Sequence, residues 1–265
     1  MQQQHLISIH DLTLGEVNEI LDLTRDLKER QRRREPHPLL AGRTLAMIFE
    51  KPSTRTRVSF ETGMAQLGGH PVVLNASDTQ LGRGETIYDT AKVLSRYVDG
   101  IMARTFEHRS VTELAAYADV PVINALTDWS HPCQAMADVL TISEHCGRIE
   151  GITIAFIGDG NNVARSLACA AGKLDMKLVL ASPGGYELDG PSIEQANGIR
   201  AGCVAQFNDP KAAVADADII YTDTWVSMGQ EEQKEQRRRD FAGFEVNAEL
   251  VAAAPGHAKI MHCLP

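Results

Sequence analysis

The chain has 265 residues, of which 43% are hydrophobic and 23% are charged, and its formal net charge is −9. This mixture is typical of a soluble globular protein, and the length suggests two domains. The acidic balance argues against nucleic acid as a partner, and no apolar run is long enough to span a membrane.

The cysteine pattern and the N-terminal segment indicate the compartment. The five cysteines are scattered along the chain, and none forms a C-x-x-C pair. The segment Met1–His5 lacks the charged and apolar regions of a signal peptide. These features favour a reduced, cytoplasmic protein over a disulfide scaffold.

The first half of the chain predicts one long helix followed by alternating strands and helices. Apolar residues at helical spacing predict the helix from Thr13 to about Arg33. The predicted strands are Thr44–Glu50, Pro71–Asn75, Gly100–Arg104 and Pro121–Leu126. The predicted helices between and after them are Thr54–Leu67, Glu85–Tyr97, Val111–Ala118 and His131–His145. This alternation is typical of a parallel sheet with helices on both faces.

The second half continues the alternation from about Gly151. Its predicted strands are Ile152–Ile157, Lys177–Ala181, Val204–Phe207, Ile219–Thr222 and Lys259–His262. Its predicted helices are one that ends near Leu174 and those at Ser192–Arg200, Pro210–Ala215 and Ala248–Ala253. The charged segment Asp223–Glu245 is predicted to be irregular. We therefore expect two α/β domains, residues 1–147 and 148–265, each a parallel sheet flanked by helices, with a hinge at Cys146-Gly147.

The motif Ser53-Thr54-Arg55-Thr56-Arg57 places two guanidinium groups and three hydroxyls at a predicted helix start, directly after a strand. A helix start offers unpaired backbone N–H groups and a partial positive charge, and arginine adds a fork of donors. The motif predicts a site for a small dianion such as phosphate. The alternative is that the arginines pair with surface carboxylates.

Other polar residues also follow predicted strands. Arg104 either reaches solvent or points into a site. His131 and Gln134 share one face of a helix start, where an imidazole can donate to an oxyanion and an amide can accept from an NH2 group, although a lone histidine is more often structural. Asp223 can hold an ammonium group, and Cys263 is either part of a site or a buried thiol. Ligands of open α/β sheets bind beyond the carboxyl ends of the strands, so these residues predict one site.

The segment Gly158–Val163 only superficially resembles the dinucleotide fingerprint G-x-G-x-x-G. Val163 replaces the third glycine, and Ser182 closes the next strand where an acid would bind a ribose. A nicotinamide dehydrogenase is therefore a weak alternative. The amides of Asn161 and Asn162 could instead bind a carboxylate or an ammonium group.

Taken together and in order, these motifs resemble the aspartate/ornithine transcarbamylase family over essentially the whole chain. The matching segments are Ser53–Arg57, Arg104, His131-Pro132-Cys133-Gln134, Asp223-Thr224-Trp225-Val226-Ser227-Met228-Gly229 and His262-Cys263-Leu264-Pro265. The last two segments resemble family members whose acceptor is ornithine. The family fold implies a carbamoyl-phosphate domain first, an ornithine domain second and an active site in the cleft between them.

The resemblance also implies a role for individual residues. The residues implied for carbamoyl phosphate are Ser53, Thr54, Arg55, Thr56, Arg104, His131, Gln134, the backbone of Cys263 and Leu264, and Gln80 reaching into a neighbouring subunit's site. The residues implied for ornithine are Asn162, Asp223, Ser227 and Met228. The residues implied in catalysis are Arg104, His131, Thr56, Asp223 and Cys263.

The implied activity is transfer of the carbamoyl group of carbamoyl phosphate to the δ-amine of L-ornithine by a homotrimer, with no metal or organic cofactor. One alternative is a transcarbamylase that uses putrescine or an acylated ornithine. Another is an impaired form that only binds phosphate ligands. This form is considered because family chains continue beyond the position of Pro265 with one more ligand arginine and a final helix, which are expected to be missing here.

Overall fold

The structure is a computed structural model that describes residues 3–80, 83–226 and 231–264. The chain divides after Cys133 into two compact units, called unit 1 and unit 2 below. This division falls near the start of the helix that was expected to end the first domain, and the predicted domain boundary after residue 147 stays a prediction. Within the described ranges, no helix is both long enough and apolar enough to cross a bilayer.

Unit 1 is built on a parallel sheet of four strands in the order β2-β1-β3-β4. Its elements in chain order are α1 (Leu14–Arg32), β1 (Thr44–Phe49), α2 (Thr54–Gln66), β2 (His70–Asn75), α3 (Ile87–Leu94), β3 (Gly100–Arg104), α4 (His108–Tyr117) and β4 (Val122–Leu126). A fifth helix, α5 (Pro132–Cys146), begins at the end of unit 1 and continues in unit 2.

The sheet of unit 1 buries a different set of side chains on each face. Ile48 of β1 belongs to an apolar cluster that includes Leu114 of α4. The preceding residue, Met47, belongs to a second cluster with Met64 of α2. Successive side chains of a strand point to opposite faces, so both faces of a strand with helices on each side must be apolar. This explains the unbroken apolar run of β1.

Local residues define both ends of α2. The Ser53 side chain accepts a hydrogen bond from the backbone N–H of Thr56 across 3.3 Å, which caps the first turn. The helix ends before Gly68, which has a φ of 78°. A residue in this left-handed conformation commonly follows a helix, and glycine adopts it without steric cost. Helix α2 therefore begins directly after the loop that follows β1 and ends just before Gly68.

Three strands of unit 1 end side by side at the carboxyl edge of the sheet. Phe49 of β1 is paired in register with Arg104 of β3, and Arg104 is paired with Leu126 of β4. The loops that follow these strands lead to Ser53 and to His131. Side chains that are distant in sequence therefore begin from one edge of one sheet.

Unit 2 contains a second parallel sheet, of five strands in the order β7-β6-β5-β8-β9. Its elements after α5 are β5 (Thr153–Ile157), α6 (Asn162–Lys173), β6 (Lys177–Ala181), α7 (Gly190–Ile199), β7 (Val204–Phe207), α8 (Pro210–Val214), β8 (Ile219–Thr222), α9 (Lys234–Asp240), α10 (Ala248–Ala252) and β9 (Lys259–His262). Ile157 and Ile220 of the sheet pack with Val214 and Leu250 of the helices in one apolar cluster.

The structure confirms the predicted α/β class with two parallel sheets, and each strand lies within a residue of its expected bounds. The prediction that Asp223–Glu245 is irregular was wrong in part, because α9 lies inside this segment. Arg237 of α9 is buried, and its Nη1 lies 2.6 Å from Asp159 Oδ2 and 3.0 Å from the carbonyl oxygen of Trp225. Tertiary contacts thus stabilise a short charged helix that has little apolar pattern.

Candidate active site

The first turn of α2 presents the hydroxyls predicted for anion binding. The Ser53 hydroxyl donates to the Thr56 hydroxyl across 3.0 Å, in addition to capping the helix. Thr54 is the first helical residue and is exposed. The helix start thus combines oriented hydroxyls with backbone N–H groups, an arrangement that suits a phosphate.

Arg104 points into this same region from the end of β3. Its Nη1 donates to the Thr56 hydroxyl across 3.2 Å, and the residue is only 7% exposed. Among the described residues, the Nε atom of Arg104 is buried without a hydrogen-bond partner. A buried guanidinium group with an unused donor is costly, and an anionic ligand would compensate it. The alternative that Arg104 simply reaches solvent is thereby excluded.

The two arginines of the motif have different surroundings. Arg57 pairs with Glu61 one turn later on α2, with an Nε–Oε1 distance of 3.0 Å. Arg55 lies close enough to Arg104 that its charge, after the larger effect of burial, lowers the pKa of Arg104. Surface pairing thus describes Arg57, whereas Arg55 belongs to a cationic cluster that would attract an anion.

His131 lies immediately before α5 and is in the neutral form. Burial, and then the charge of Arg104, lower its pKa to about 3. A neutral imidazole can donate from one nitrogen and accept at the other. The structure therefore brings His131 into the electrostatic reach of Arg104 as an uncharged donor, which suits stabilisation of an oxyanion.

Lys51 is a further cation at this edge that the sequence analysis missed. It is 8% exposed, and its Nζ lies 4.4 Å from the centroid of the Phe106 ring. Burial, followed by the charge of Arg104, lowers its pKa. Its position in the sequence could have indicated this. Lys51 lies in the short loop Glu50–Pro52 between β1 and α2, which must stay at the edge of the sheet.

In unit 2, the predicted residues Asp223 and Cys263 meet at the carboxyl ends of β8 and β9. The Cys263 thiol donates to Asp223 Oδ1 across 2.8 Å, and Asn161 Nδ2 donates to Asp223 Oδ2 at the same distance. Burial, followed by the charge of Asp223, raises the pKa of Cys263. The Cys263 thiol therefore keeps its proton and is the hydrogen-bond donor of the pair.

The hypothesis that Asn161 binds a ligand through its amide is corrected by these contacts. The oxygen of Asn161 accepts from the N–H groups of Val163 and Ala164 and caps α6, while its nitrogen holds Asp223. The neighbouring Gly160 is needed for packing, because a Cβ atom there would lie 2.3 Å from the backbone nitrogen of Leu188. The glycine that makes this loop resemble a dinucleotide motif is therefore explained by its close packing against the backbone of Leu188.

Within the described part of the chain, Asp223, His262 and Cys263 form a group that could hold a metal ion. Their candidate ligand atoms lie within 4.8 Å of one another. A thiol must lose its proton before it binds a metal, and the carboxylate beside Cys263 opposes that loss. The hydrogen-bonded pair already satisfies the thiol of Cys263 without a metal.

Gln134 lies one helical turn after His131 and is held by another residue of α5. Its Nε2 donates to Asp138 Oδ1 across 3.0 Å, and the hydroxyl of Tyr221 donates to Asp138 Oδ2 across 2.9 Å. Burial raises the pKa of Asp138 to about 7, against the effect of these two hydrogen bonds. Neither Asp138 nor Tyr221 carries a signal in the sequence, because each lies inside a predicted helix or strand.

The remaining predicted residues are placed as follows. Asn162 is the first residue of α6, Gln80 is exposed, and the backbone N–H of Leu264 donates to His262 Nδ1 across 3.0 Å. Ser227 and Met228 lie outside the described residues. The assignment of all these residues to substrates stays a prediction.

Comparisons with known proteins agree over both halves of the chain. The family described as "Aspartate/ornithine carbamoyltransferase, carbamoyl-P binding domain" matches residues 4–144, and "Aspartate/ornithine carbamoyltransferase, Asp/Orn binding domain" matches residues 150–265. An ornithine carbamoyltransferase of Pyrococcus abyssi is 54% identical over 100% of this chain and 84% of its own length. Another from Methanocorpusculum labreanum is 51% identical over 99% of this chain and 86% of its own.

Solved structures show the same relationship. The ornithine carbamoyltransferase of Pyrococcus furiosus superposes with a TM-score of 0.95 at 54% identity, covering 99% of this chain and 85% of that one. The Thermus thermophilus enzyme gives a TM-score of 0.89 at 40% identity, covering 100% and 86%. With both halves matched in sequence and in fold, the chain belongs to the aspartate/ornithine carbamoyltransferase family.

Proposed function

We propose that this chain transfers the carbamoyl group of carbamoyl phosphate to the δ-amine of L-ornithine, giving L-citrulline and phosphate. The observation that carries this proposal is Arg104, a buried guanidinium group beside Arg55 and Lys51 whose Nε lacks a partner in the described part of the chain. Such a cluster of cations requires an anion. The names of the similar proteins, together with the segments around Asp223 and Cys263, support ornithine as the acceptor.

In this proposal, residues 1–147 bind carbamoyl phosphate. Ser53, Thr54, Arg55 and Thr56 hold the phosphate at the start of α2, where hydroxyls, backbone N–H groups and one guanidinium fork converge. Arg104 contacts both the phosphate and the carbonyl oxygen, which is consistent with its hydrogen bond to Thr56.

The oxyanion that forms during the reaction is stabilised by three donors. Arg104 supplies a cation, Thr56 supplies a hydroxyl, and His131 supplies the N–H of a neutral imidazole. Donors that are fixed before the reaction need little reorganisation as the charge develops. Gln134 and the backbone of Cys263 and Leu264 hold the carbamoyl NH2 group.

Residues 148–265 bind ornithine in this proposal, through Asn162, Asp223, Ser227 and Met228. Asn161 orients the Asp223 carboxylate, and the protonated Cys263 thiol donates to it. Asp223 therefore accepts the proton that the ornithine amine must lose. An alkyl ammonium has a pKa of about 10.4, so deprotonation near neutral pH costs roughly 4 kcal/mol.

The reaction needs no covalent intermediate with the protein. The neutral δ-amine attacks the carbonyl carbon, forming a C–N bond and a tetrahedral oxyanion. The C–O bond to the phosphate then breaks, and phosphate leaves with the bonding electron pair and takes up the proton that the nitrogen loses. The protein positions the two substrates and stabilises the developing charge.

We further propose that the active assembly is a homotrimer. In it, the exposed Gln80 reaches the carbamoyl phosphate of a neighbouring subunit. Cross-linking in solution, together with loss of activity in Gln80→Ala, would test this arrangement. A monomer with undiminished activity contradicts it.

The proposed acceptor is tested by competition. Equal concentrations of L-ornithine, putrescine and an N-acylated ornithine are offered with carbamoyl phosphate, and the ureido products are separated and quantified. We expect citrulline to dominate. A dominant product from either other amine identifies a different transcarbamylase, and absence of every ureido product refutes carbamoyl transfer.

A further inference from the structure

Asp138 connects a residue of the proposed site to the interior of unit 2. It lies one helical turn after Gln134 on α5 and is 3% exposed. One carboxylate oxygen accepts from Gln134 Nε2 across 3.0 Å, and the other accepts from the Tyr221 hydroxyl across 2.9 Å. Tyr221 is fully buried in β8, where its ring stacks on Phe156 with 5.3 Å between centroids. The carboxylate is therefore fixed from both sides.

This arrangement determines which end of the Gln134 amide faces which way. In the structure both oxygens of Asp138 act as acceptors, one from the NH2 end of the Gln134 amide and one from the Tyr221 hydroxyl. The Oε1 and Nε2 atoms of the Gln134 amide are bonded to the same carbon atom and point in different directions. Fixing Nε2 on Asp138 therefore directs Oε1 away from Asp138, as a hydrogen-bond acceptor.

A buried carboxylate is an unfavourable choice for a purely structural position. Replacing a buried charged group together with its polar partners by apolar side chains of similar volume is often neutral or stabilising. Burial disfavours the charged form of Asp138. Its two occupied oxygens are therefore better explained by the orientation that they impose on Gln134 than by a contribution to folding.

We propose that Asp138 is a positioning residue for carbamoyl transfer, which directs the Oε1 atom of Gln134 to accept a hydrogen bond from the NH2 group of carbamoyl phosphate. This inference rests on the proposed function, in which Gln134 contacts that NH2 group. It extends the substrate site to a residue that does not touch the substrate, and to Tyr221 behind it.

Acetyl phosphate provides a selective probe, because it carries a methyl group where carbamoyl phosphate carries NH2. The dissociation constants of both ligands are measured by calorimetry, without ornithine, for the wild-type protein, Asp138→Leu, Gln134→Leu and the double variant. Leucine fills the space of Asp138 without an acceptor. Asp138→Asn retains one acceptor oxygen and serves if Asp138→Leu does not fold.

We expect Asp138→Leu to weaken carbamoyl phosphate binding roughly tenfold, the effect of about one hydrogen bond, and to leave acetyl phosphate within about twofold. Gln134→Leu should have the same selective effect, and the double variant should add nothing further. Asp138→Asn should show a smaller loss, again for carbamoyl phosphate only.

Equal weakening of both ligands, no weakening of either, or additive losses in the double variant would overturn the proposed role of Asp138. Because ornithine is absent, the result is independent of the reaction. A protein that prefers carbamoyl phosphate through Asp138 but forms no citrulline would refute the proposed activity alone. A protein that forms citrulline with unchanged selectivity in Asp138→Leu would refute the positioning role alone.

Discussion

The guanidinium group of Arg104 donates a hydrogen bond to the hydroxyl of Thr56 across 3.2 Å, although 48 positions separate the two residues in sequence. Arg104 ends β3, and Thr56 lies in the first turn of α2. The register of the sheet explains the contact, because Arg104 is paired with Phe49, the last residue of β1. The meeting of Arg104 and Thr56, on which the proposed anion site depends, thus follows from the parallel pairing of two strands.

Replacing Thr56 with valine should remove a proposed oxyanion donor without changing the shape of the side chain. We expect kcat to fall roughly 100-fold, because loss of one such donor typically raises the barrier by about 3 kcal/mol. Thr56→Ser keeps the hydroxyl and should stay within about tenfold of wild type. Steady-state citrulline formation measures both, and equal rates for the two variants would exclude the hydroxyl from catalysis.

The two arginines of the motif should differ sharply when each is changed to lysine. Arg55→Lys should weaken carbamoyl phosphate binding by about tenfold or more, because lysine cannot reproduce the planar fork of donors. Arg57→Lys should change binding less than about twofold, since Arg57 pairs with Glu61 on the helix surface. Calorimetric titration with carbamoyl phosphate measures both variants. Equal losses would contradict the assignment of only Arg55 to the site.

The pH profile should contain no step from His131. Its pKa is lowered to about 3, so the imidazole is neutral throughout the usual assay range. The rise of kcat/KM for ornithine that we expect between pH 7 and 9 then belongs to the acceptor amine. His131→Ala should lower kcat roughly 100-fold while retaining this rise. An inflection near pH 6.5 that disappears in His131→Ala would show that the histidine titrates during catalysis.

Asp138→Asn should stabilise the protein at high pH, whatever it does to substrate binding. The pKa of Asp138 is raised from 3.8 to about 7, so between these values the folded state keeps a proton that the unfolded chain releases. The stability of the wild-type protein is therefore lowered as pH rises across this window and levels off above it. Asparagine cannot ionise, so the advantage of the variant should grow from pH 4 to pH 7.

The upper limit of that advantage is about 4 kcal/mol, reduced by any hydrogen bond to Asp138 that asparagine makes less well. Urea unfolding of the wild-type protein and Asp138→Asn at several pH values measures it. A constant difference between Asp138→Asn and wild type from pH 4 to pH 8 would show that the folded-state pKa is not raised.

The strands and the position of the hydroxyls at the start of α2 could be predicted because their signals are local. An unbroken apolar run bounded by turn residues gives the position of a strand such as β1, and hydroxyls at a helix start predict an anion site. The difference between Arg55 and Arg57 could not be predicted, because it depends on which side of the helix faces β3. The burial of Lys51 likewise follows from the packing of separate loops.

The dependence of some features on packing also explains the wrong predictions in unit 2. Asn161 has the character of a ligand residue in sequence, but its amide is used to cap α6 and to hold Asp223. Helix α9 has little apolar pattern, and tertiary contacts of Arg237 with Asp159 and with the carbonyl oxygen of Trp225 hold it. Asp138 lies in an ordinary helical pattern, and its hydrogen bond from Tyr221 of β8 could not be predicted from that pattern. Each of these features depends on contacts between residues far apart in sequence.

The most direct test of the proposed activity measures citrulline and phosphate together, from carbamoyl phosphate and L-ornithine, for wild type and Arg104→Lys. Arg96→Lys is the matched control, because Arg96 is exposed and lies before the opposite, amino end of β3. We predict equal amounts of citrulline and phosphate from wild type and Arg96→Lys, and at least a roughly 100-fold loss of both in Arg104→Lys. Undiminished citrulline formation by Arg104→Lys would contradict the proposed role of Arg104. Release of phosphate by wild type without citrulline would contradict the proposed carbamoyl transfer.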